Sequence, residues 1–273
     1  MSTILLAADP DTLLLGIGIA LLIAIGILVL AIGVGSLVAG IMRMIVAINY
    51  WFPSRTNNSA GITGGEAANR MLEAYGLNDV QVKQAGFFTA MFYGNHYNPK
   101  KKTIYLVKST YAKQSLTAVG LSVQKVGLVL QHKRDSKAFM TRWKLQRIAI
   151  LGPLFFVPLV IVGLIIDGLF VAQGADFTGI GMLVFSVIAF VFFVLGFVFQ
   201  GLTISVEKKG NAEARDMLAK TNLLTPEEQA HIRKVLNNYI MLYVADFILS
   251  ILEAIKLVFQ IFWLILTVLF HKK

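Results

Sequence analysis

The sequence predicts an α-helical polytopic membrane protein with about four spans and a basic domain between the first two. Of the 273 residues, 56% are hydrophobic and only 15% are charged, and the mean hydropathy is +0.71. The apolar residues also form long uncharged runs. Together these runs expose more apolar surface than a soluble domain can bury. The chain has no cysteine, which excludes disulfides and cysteine-based zinc or redox sites.

Four apolar stretches are long enough to cross a bilayer core, which takes about 20 helical residues. They comprise residues 12–42, 148–172, 178–203 and 244–270. The first is longer than the apolar core of a signal peptide and no basic residue precedes it, so we expect an anchor. The fourth is interrupted by Asp246, Glu253 and Lys256. Its first half is therefore either an interfacial helix or a segment whose charges face other helices.

The distribution of charge predicts the orientation. The segment 43–147 carries 16 lysine and arginine residues against 4 acidic ones, a net charge of +12. The positive-inside rule places this segment on the inner side and the N-terminus outside, and the connection 205–238 then lies inside as well. The predicted organisation has five parts: a tail and first span (1–42), a basic inner domain (43–147), a transmembrane hairpin (148–204), a second inner segment (205–243) and a last span with its tail (244–273).

Capping signals predict the helices of the two inner segments. Thr63 and Glu66 have the spacing of a capping box, which starts a helix over 64–75 that ends before a glycine. A longer helix is predicted over 115–132. Thr225 is followed by proline and two glutamates, which is typical of a helix start.

A small β-hairpin is predicted ahead of the longer helix. Residues 85–93 and 103–108 have the composition of strands, and the segment 94–99 between them is dense in turn-forming residues. Lysines 100–102 follow this turn and predict a solvated face, with anionic lipid as the alternative contact. Nucleic acid is not an expected partner.

Short motifs follow one another in a characteristic order along nearly the whole chain. They are Gly61-Ile-Thr-Gly-Gly-Glu-Ala67, Ala74-Tyr-Gly-Leu-Asn-Asp-Val80, Asn95-His-Tyr-Asn-Pro99, Val206-Glu207, Arg233-Lys-Val-Leu-Asn237 and Leu242-Tyr-Val-Ala245. In this order and spacing the chain resembles the YugP-type family of membrane zinc metallopeptidases. The resemblance implies a mostly helical, zincin-like inner domain, and it implies a bacterial plasma membrane protein whose main domain is cytoplasmic.

The resemblance also implies where the family's zinc site would lie. In the family, a His-Glu-x-x-His stretch on one helix supplies two zinc ligands and the general base. The matching positions of this sequence hold Gln124, Lys125 and Leu128. Both imidazoles and the base are therefore replaced, which makes this a degenerate motif.

Other positions of the family pattern are retained. Gln131 and His132 match the end of the zinc-binding stretch, and Glu207 matches the expected third ligand. His96 lies in the retained turn motif. Lys208 and Lys209 make the flank of Glu207 basic, where the family pattern has an aromatic residue and an acid or amide.

Elementary electrostatics argues against zinc at these positions. Leucine offers no lone pair, and a neutral amide oxygen is a weak ligand. At about 4 Å and an effective dielectric constant of about 20, two like unit charges repel by roughly 4 kcal/mol, and a divalent ion roughly doubles this cost for Lys125. The sequence therefore predicts a catalytically inactive pseudo-peptidase without a metal or cofactor. It would act by binding, as a subunit or scaffold of a membrane complex.

Two other interpretations remain open at this point. The chain could be an active metallopeptidase with altered ligands, for example a relocated zinc site built from His96, His132 and Glu207. It could also be a transporter-like protein, which would need paired charges within the membrane. The candidates for such charges are Asp167, Asp246, Glu253 and Lys256. The expected partners are the lipid bilayer and other membrane proteins, or further copies of the chain.

Overall fold

A computed structural model of the chain describes residues 10–174 and 179–270. Within these ranges the fold is mostly helical, as predicted, with one small sheet. The elements in chain order are α1 (Pro10–Arg55), α2 (Gly64–Ala74), β1 (Gln81–Gln84), α3 (Phe87–Tyr93), β2 (His96–Asn98), β3 (Thr103–Leu106), α4 (Lys108–Tyr111), α5 (Leu116–Lys133), α6 (Lys137–Ala172), α7 (Ile180–Thr221) and α8 (Pro226–Phe270). The predicted tails, residues 1–9 and 271–273, lie outside the described residues.

Three helical segments within the described residues are long and apolar enough to cross a membrane. They are Val29–Trp51 of α1, Leu183–Thr221 of α7 and Pro226–Leu252 of α8, and α6 contributes the shorter apolar segment Ile161–Ala172. The side chains on their outer surfaces are apolar and exposed, as expected of helices that face lipid. The count of four spans stays a prediction.

The long helices run without a break through the boundaries that the sequence predicts between spans and inner segments. Helix α6 passes through residue 148, α7 through residue 205 and α8 through residue 244. Helix α6 packs along α7, and α1 packs along α8. Residues of the inner domain are therefore carried on the same helices that form the apolar bundle.

Two polar contacts join neighbouring helices of this bundle. The buried Asp167 on α6 accepts a hydrogen bond at 2.8 Å from the backbone N–H of Gly181, at the start of α7, where the first N–H groups have no partner within the helix. Arg43 on α1 donates to Asp246 on α8 at 2.5 Å. Two of the charges in the predicted spans thus hold helices together.

The sheet has three strands in the order β1-β3-β2. Strand β2 pairs antiparallel with β3 around the turn that holds the lysine run, and β1 pairs parallel with β3. The predicted hairpin is therefore present, but its first strand is 96–98 rather than 85–93. The sequence analysis did not identify β1, a short polar strand whose side chains are mostly exposed.

The prediction of a strand over 85–93 is wrong, because residues 87–93 form helix α3. An aromatic run of this length favours a strand only where a sheet edge is available, and periodicity cannot separate a short apolar strand from a helix. The residues Phe87, Phe88, Met91 and Phe92 have the spacing of one helical face. Gly94 ends the helix with a positive φ of 57°.

The predicted starts of α2 and α8 and the predicted end of α2 are confirmed. The Thr63 side chain accepts from the backbone N–H of Glu66 and the Glu66 carboxylate accepts from that of Thr63, which completes the capping box. Gly76 follows α2 with a φ of 64°. Thr225 caps α8 in the same way, with Glu228 as its partner. These contacts satisfy backbone N–H groups that have no partner within the helix.

Helix α5 forms the centre of the predicted inner domain. Every residue from Leu116 to Gln131 is buried, beneath α2, α7 and α8. It approaches α7 closely at Gly127, where an added Cβ would lie 2.7 Å from the carbonyl oxygen of Gly210. This approach sets α5 directly against the part of α7 that carries Glu207.

We predict that Gly127→Ala destabilises the protein, because the new methyl group meets the α7 backbone rather than a flexible side chain. Overpacking of this kind costs about 1–3 kcal/mol, more than the roughly 1 kcal/mol that alanine gains over glycine in a helix. The measurement is thermal unfolding of the purified protein in detergent. The control is Gly168→Ala, where an added Cβ has no neighbour within 4 Å. Equal Tm values for the two variants would contradict the prediction.

Candidate functional site

The candidate site is a buried cluster around the Glu207 carboxylate, where α5, α6 and α7 meet. Glu207 lies on the first turns of α7 beyond its uncharged segment, and it is fully buried. A buried carboxylate is stable only when it is paired and hydrogen-bonded. Side chains of α5 and α6 supply these partners.

Gln124 on α5 holds one oxygen of this carboxylate. Its Nε2 donates to Glu207 Oε2 and to Asn211 Oδ1, both at 2.7 Å. Because both neighbours are acceptors, the amide must present its NH₂ group here and not its carbonyl oxygen. Asn211 in turn donates to the carbonyl oxygen of Leu236 at 2.6 Å, which joins the cluster to α8.

Lys125 forms a buried ion pair with the same carboxylate. Its Nζ lies 3.1 Å from Glu207 Oε2, and the two side chains are only 5% and 1% exposed. Burial lowers the pKa of Lys125, while the adjacent Glu207 carboxylate opposes this shift. The ammonium is held inside the protein by its counter-charge.

Arg142 on α6 holds the other oxygen. It donates to Glu207 Oε1 at 2.9 Å and, through its Nε, to the hydroxyl of Thr203 at 3.2 Å. A guanidinium keeps its charge under all ordinary conditions. Glu207 therefore has a positive partner on each oxygen, and the two partners together bring the same charge that one Zn²⁺ would bring.

The zinc ion implied by the resemblance does not fit among these side chains. Gln124 turns its NH₂ group toward the carboxylate, and Leu128 has no atom that could bind a metal. Lys125 and Arg142 occupy both oxygens of Glu207. In residues 10–174 and 179–270, no three histidine, aspartate or glutamate side chains are grouped so that they could hold one ion.

A cavity of about 190 Å³ opens beside the cluster. Leu128 and Glu207 form part of its wall, together with residues of the hairpin region and of α6, α7 and α8 that include His96, Tyr97, Arg142 and Tyr243. The position that would hold the family's second histidine therefore presents an apolar side chain to this space. The cavity thus adjoins the cluster at Leu128, Arg142 and Glu207.

His132 and Gln131 support the end of α5. Nδ1 of His132 lies 3.0 Å from the Tyr97 hydroxyl, and its ring packs against Tyr97 and Phe139. Burial lowers the pKa of His132 and raises that of Tyr97 to about 12. Both shifts favour the neutral forms of the two groups, and the tautomer of the imidazole sets which of them donates. Gln131 donates to the carbonyl oxygen of Val206 at 3.0 Å, which fixes α5 next to the residue before Glu207.

His96 is held by the hairpin. Its Nδ1 lies 3.1 Å from the carbonyl oxygen of Gly94, and its ring stacks on Tyr105 with centroids 5.1 Å apart. Burial lowers the pKa of His96, so its neutral form is favoured. His96 lines the cavity beside the cluster, but it does not form a ligand group with His132 and Glu207 among the described residues.

The structure thus brings together the motif positions Gln124, Lys125 and Glu207, with Leu128 on the adjoining cavity wall. Sequence reasoning identified these positions but missed the ion pair and the part played by Arg142. The sequence contained one indication of the ion pair. Lys125 replaces the general base of the motif, while the expected third ligand, Glu207, is retained, so opposite charges were to be expected at one site. Arg142 carried no such signal, because nothing in its spacing relates it to the motif.

The comparisons with known proteins agree with this arrangement of motifs. A family profile described as "Putative neutral zinc metallopeptidase" matches residues 17–262. The chain is 27% identical over 218 residues to "Putative membrane protease YugP" of Bacillus subtilis (strain 168), which covers 78% of this chain and 87% of that protein. No solved structure matches the chain. The apolar helices and this likeness identify an integral membrane protein, and the chain belongs to the neutral zinc metallopeptidase family that the profile describes.

Proposed function

We propose that this chain is a catalytically inactive member of its family that acts by binding, as a subunit or scaffold of a membrane complex. The observation that carries the proposal is the buried cluster in which Lys125 and Arg142 occupy both oxygens of Glu207. Metal-dependent hydrolysis needs protein ligands that bind the ion and a base that accepts a proton from its water. The family position of that base carries an ammonium group in this chain.

Charge explains why zinc would not displace this arrangement. An ion that bound Glu207 would have to break its hydrogen bonds with Gln124 and its ion pairs with two cations, and would then lie beside both positive charges. Repulsion from Lys125 alone amounts to roughly 8 kcal/mol for a divalent ion at about 4 Å and a dielectric constant of about 20. At the same distance and dielectric constant, attraction to one carboxylate offsets only about that amount, which leaves the repulsion from Arg142 and the broken hydrogen bonds uncompensated.

The remaining cavity supports a function in binding. It lies beside Leu128 and Glu207, where a substrate of a working relative would meet the metal, and it is walled by several aromatic side chains. Charged, amide and hydroxyl side chains alternate with these aromatic ones along the wall, so a bound segment could make both apolar and polar contacts. We propose that a segment of a partner membrane protein, or of a second copy of this chain, occupies this cavity without being cleaved.

The other two interpretations receive less support. An active enzyme with altered ligands would need a metal-binding group, and Gln124, Lys125 and Leu128 do not supply one. A transporter would use charges within the spans for transport, whereas Asp167 caps α7 and Asp246 pairs with Arg43. The Glu253 side chain lies outside the described ones, and Lys256 is exposed.

We predict that the wild-type protein purifies without stoichiometric zinc. The triple variant Gln124→His, Lys125→Glu and Leu128→His should bind about one zinc per chain, because it places two imidazoles one helical turn apart, next to Glu207. The measurement is elemental analysis after dialysis against zinc, with Lys125→Gln as the control that removes the charge without adding an imidazole or a carboxylate. Peptide cleavage by the wild-type protein that a chelator abolishes would disprove the proposal.

A second prediction concerns the ion pair. Lys125→Met should destabilise the protein by about 3–5 kcal/mol, because it leaves a buried carboxylate with one cation fewer. Adding Glu207→Gln should restore part of this loss, since the neutral amide no longer needs the second cation. Chemical unfolding measures both, and Lys108→Met, at an exposed position, is the control. Additive losses in the double variant would show that the pair is not coupled.

The proposed orientation, with the basic domain on the inner side, has its own test. Because the chain has no cysteine, single cysteines can be introduced at Lys101 and at Gln173, which follows α6. In intact cells a membrane-impermeant maleimide should label Gln173→Cys but not Lys101→Cys, with the unmodified chain as the blank. Labelling of both positions would contradict this topology.

A further inference from the structure

Helix α3 presents an unusual apolar face to its surroundings. Phe87 and Phe88 are 77% and 71% exposed, and Met91 and Phe92 are 59% and 49% exposed. These four side chains lie on one face of the helix, and none of its residues is buried. Exposed aromatic clusters of this kind mark contacts with proteins or membranes.

A basic cleft of about 470 Å³ adjoins this helix, and Thr89 and Tyr93 of α3 form part of its wall. The other lining side chains include four cations, namely Lys100, Lys101, Lys144 and Arg147. The residues that the structure places around the cleft include no acid, and within the described ranges none of these cations forms an ion pair. The cleft therefore offers concentrated positive charge to an anion.

Position in the chain relates the cleft to the bilayer. Arg147 is the last charged residue of α6 before an uncharged run that continues to Asp167. Trp143 lies one turn earlier, on the cleft wall, with the Nζ of Lys100 5.6 Å from its ring centroid. Aromatic and basic residues at the end of an apolar helical segment are typical of the headgroup region. The cleft and α3 therefore lie at the level of the membrane surface.

We propose that α3 inserts its apolar face into the leaflet next to the domain and that the cleft binds the headgroup phosphate of an anionic phospholipid. The two features are complementary to the two parts of one ligand. Aromatic and methionine side chains pack favourably among acyl chains, and the phosphate accepts hydrogen bonds from lysine and arginine. A lipid bound in this way would lie at the entrance to the cavity beside Glu207, because Tyr93, His96, Trp143 and Gln146 line both spaces.

The inserted helix is tested by depth measurement in nanodiscs. A spin label at Phe88→Cys should be more accessible to oxygen than to a water-soluble nickel reagent, whereas a label at Ser109→Cys, exposed on α4, should show the reverse. The same ordering of accessibility at both positions would overturn the insertion. Because the chain contains no other cysteine, each label reports a single position.

The headgroup site is tested with the full-length protein in detergent. Short-chain phosphatidylglycerol should raise the Tm of the wild-type protein by several degrees, while phosphatidylcholine and inorganic phosphate should leave it within 1 °C. Neutralising the cleft, with glutamine at Lys100, Lys101, Lys144 and Arg147, should abolish the shift. The matched control neutralises four exposed cations outside the cleft, Arg70, Lys83, Lys108 and Lys113, and should keep it.

Three results would overturn the headgroup site. An equal shift with inorganic phosphate would show a site for free phosphate, and an equal shift with phosphatidylcholine would show a response to any lipid. Loss of the shift in both neutralised variants would show a general effect of net charge. If the cleft variant fails to fold, native mass spectrometry of the wild-type protein replaces it. With the two lipids at equal concentrations, the protein should retain phosphatidylglycerol and not phosphatidylcholine, and equal retention of both would overturn the site.

Discussion

A buried carboxylate is the constraint on which the packing of α5, α6 and α7 depends. Glu207 cannot be buried as an anion without positive partners, because the loss of hydration costs several kcal/mol. Its partners come from two different helices, Lys125 on α5 and Arg142 on α6, while Glu207 itself lies on α7. One charge therefore determines how three helices are positioned. The glycine contact between α5 and α7 and the hydrogen bond from Gln131 to Val206 are the packing that makes this geometry possible.

The parts of the fold that could be predicted from the sequence are those set by local interactions. The capping box at Thr63 and the helix start at Thr225 depend on residues at most three positions apart, and both occur where the sequence predicts them. The long apolar runs likewise predict the helical bundle, because an uncharged apolar run of about 20 residues is by itself typical of a membrane-spanning helix. Strand β1 and helix α3 could not be predicted in this way, since a polar segment of four residues and an aromatic segment of seven carry no decisive periodicity.

The candidate site shows the same division. The positions of Gln124, Lys125 and Glu207 follow from a motif and its spacing. Their contacts do not, because the partners are 82 and 83 residues apart along the chain and meet only through the packing of α5 on α7. Reasoning from Lys125 alone treats it as a charge that repels a metal. The fold shows that it is also half of the counter-charge that allows Glu207 to remain buried.

Lys125 and Arg142 also change what the domain needs from its surroundings. A protein folded around a metal ion depends on the supply of that ion, competes with chelators and releases protons when it is loaded. Here the counter-charge to Glu207 is part of the polypeptide. Each newly made chain therefore already carries the two cations that balance the carboxylate. The charge balance around Glu207 is therefore written into the sequence, and it is inherited with the chain rather than acquired from the surrounding solution.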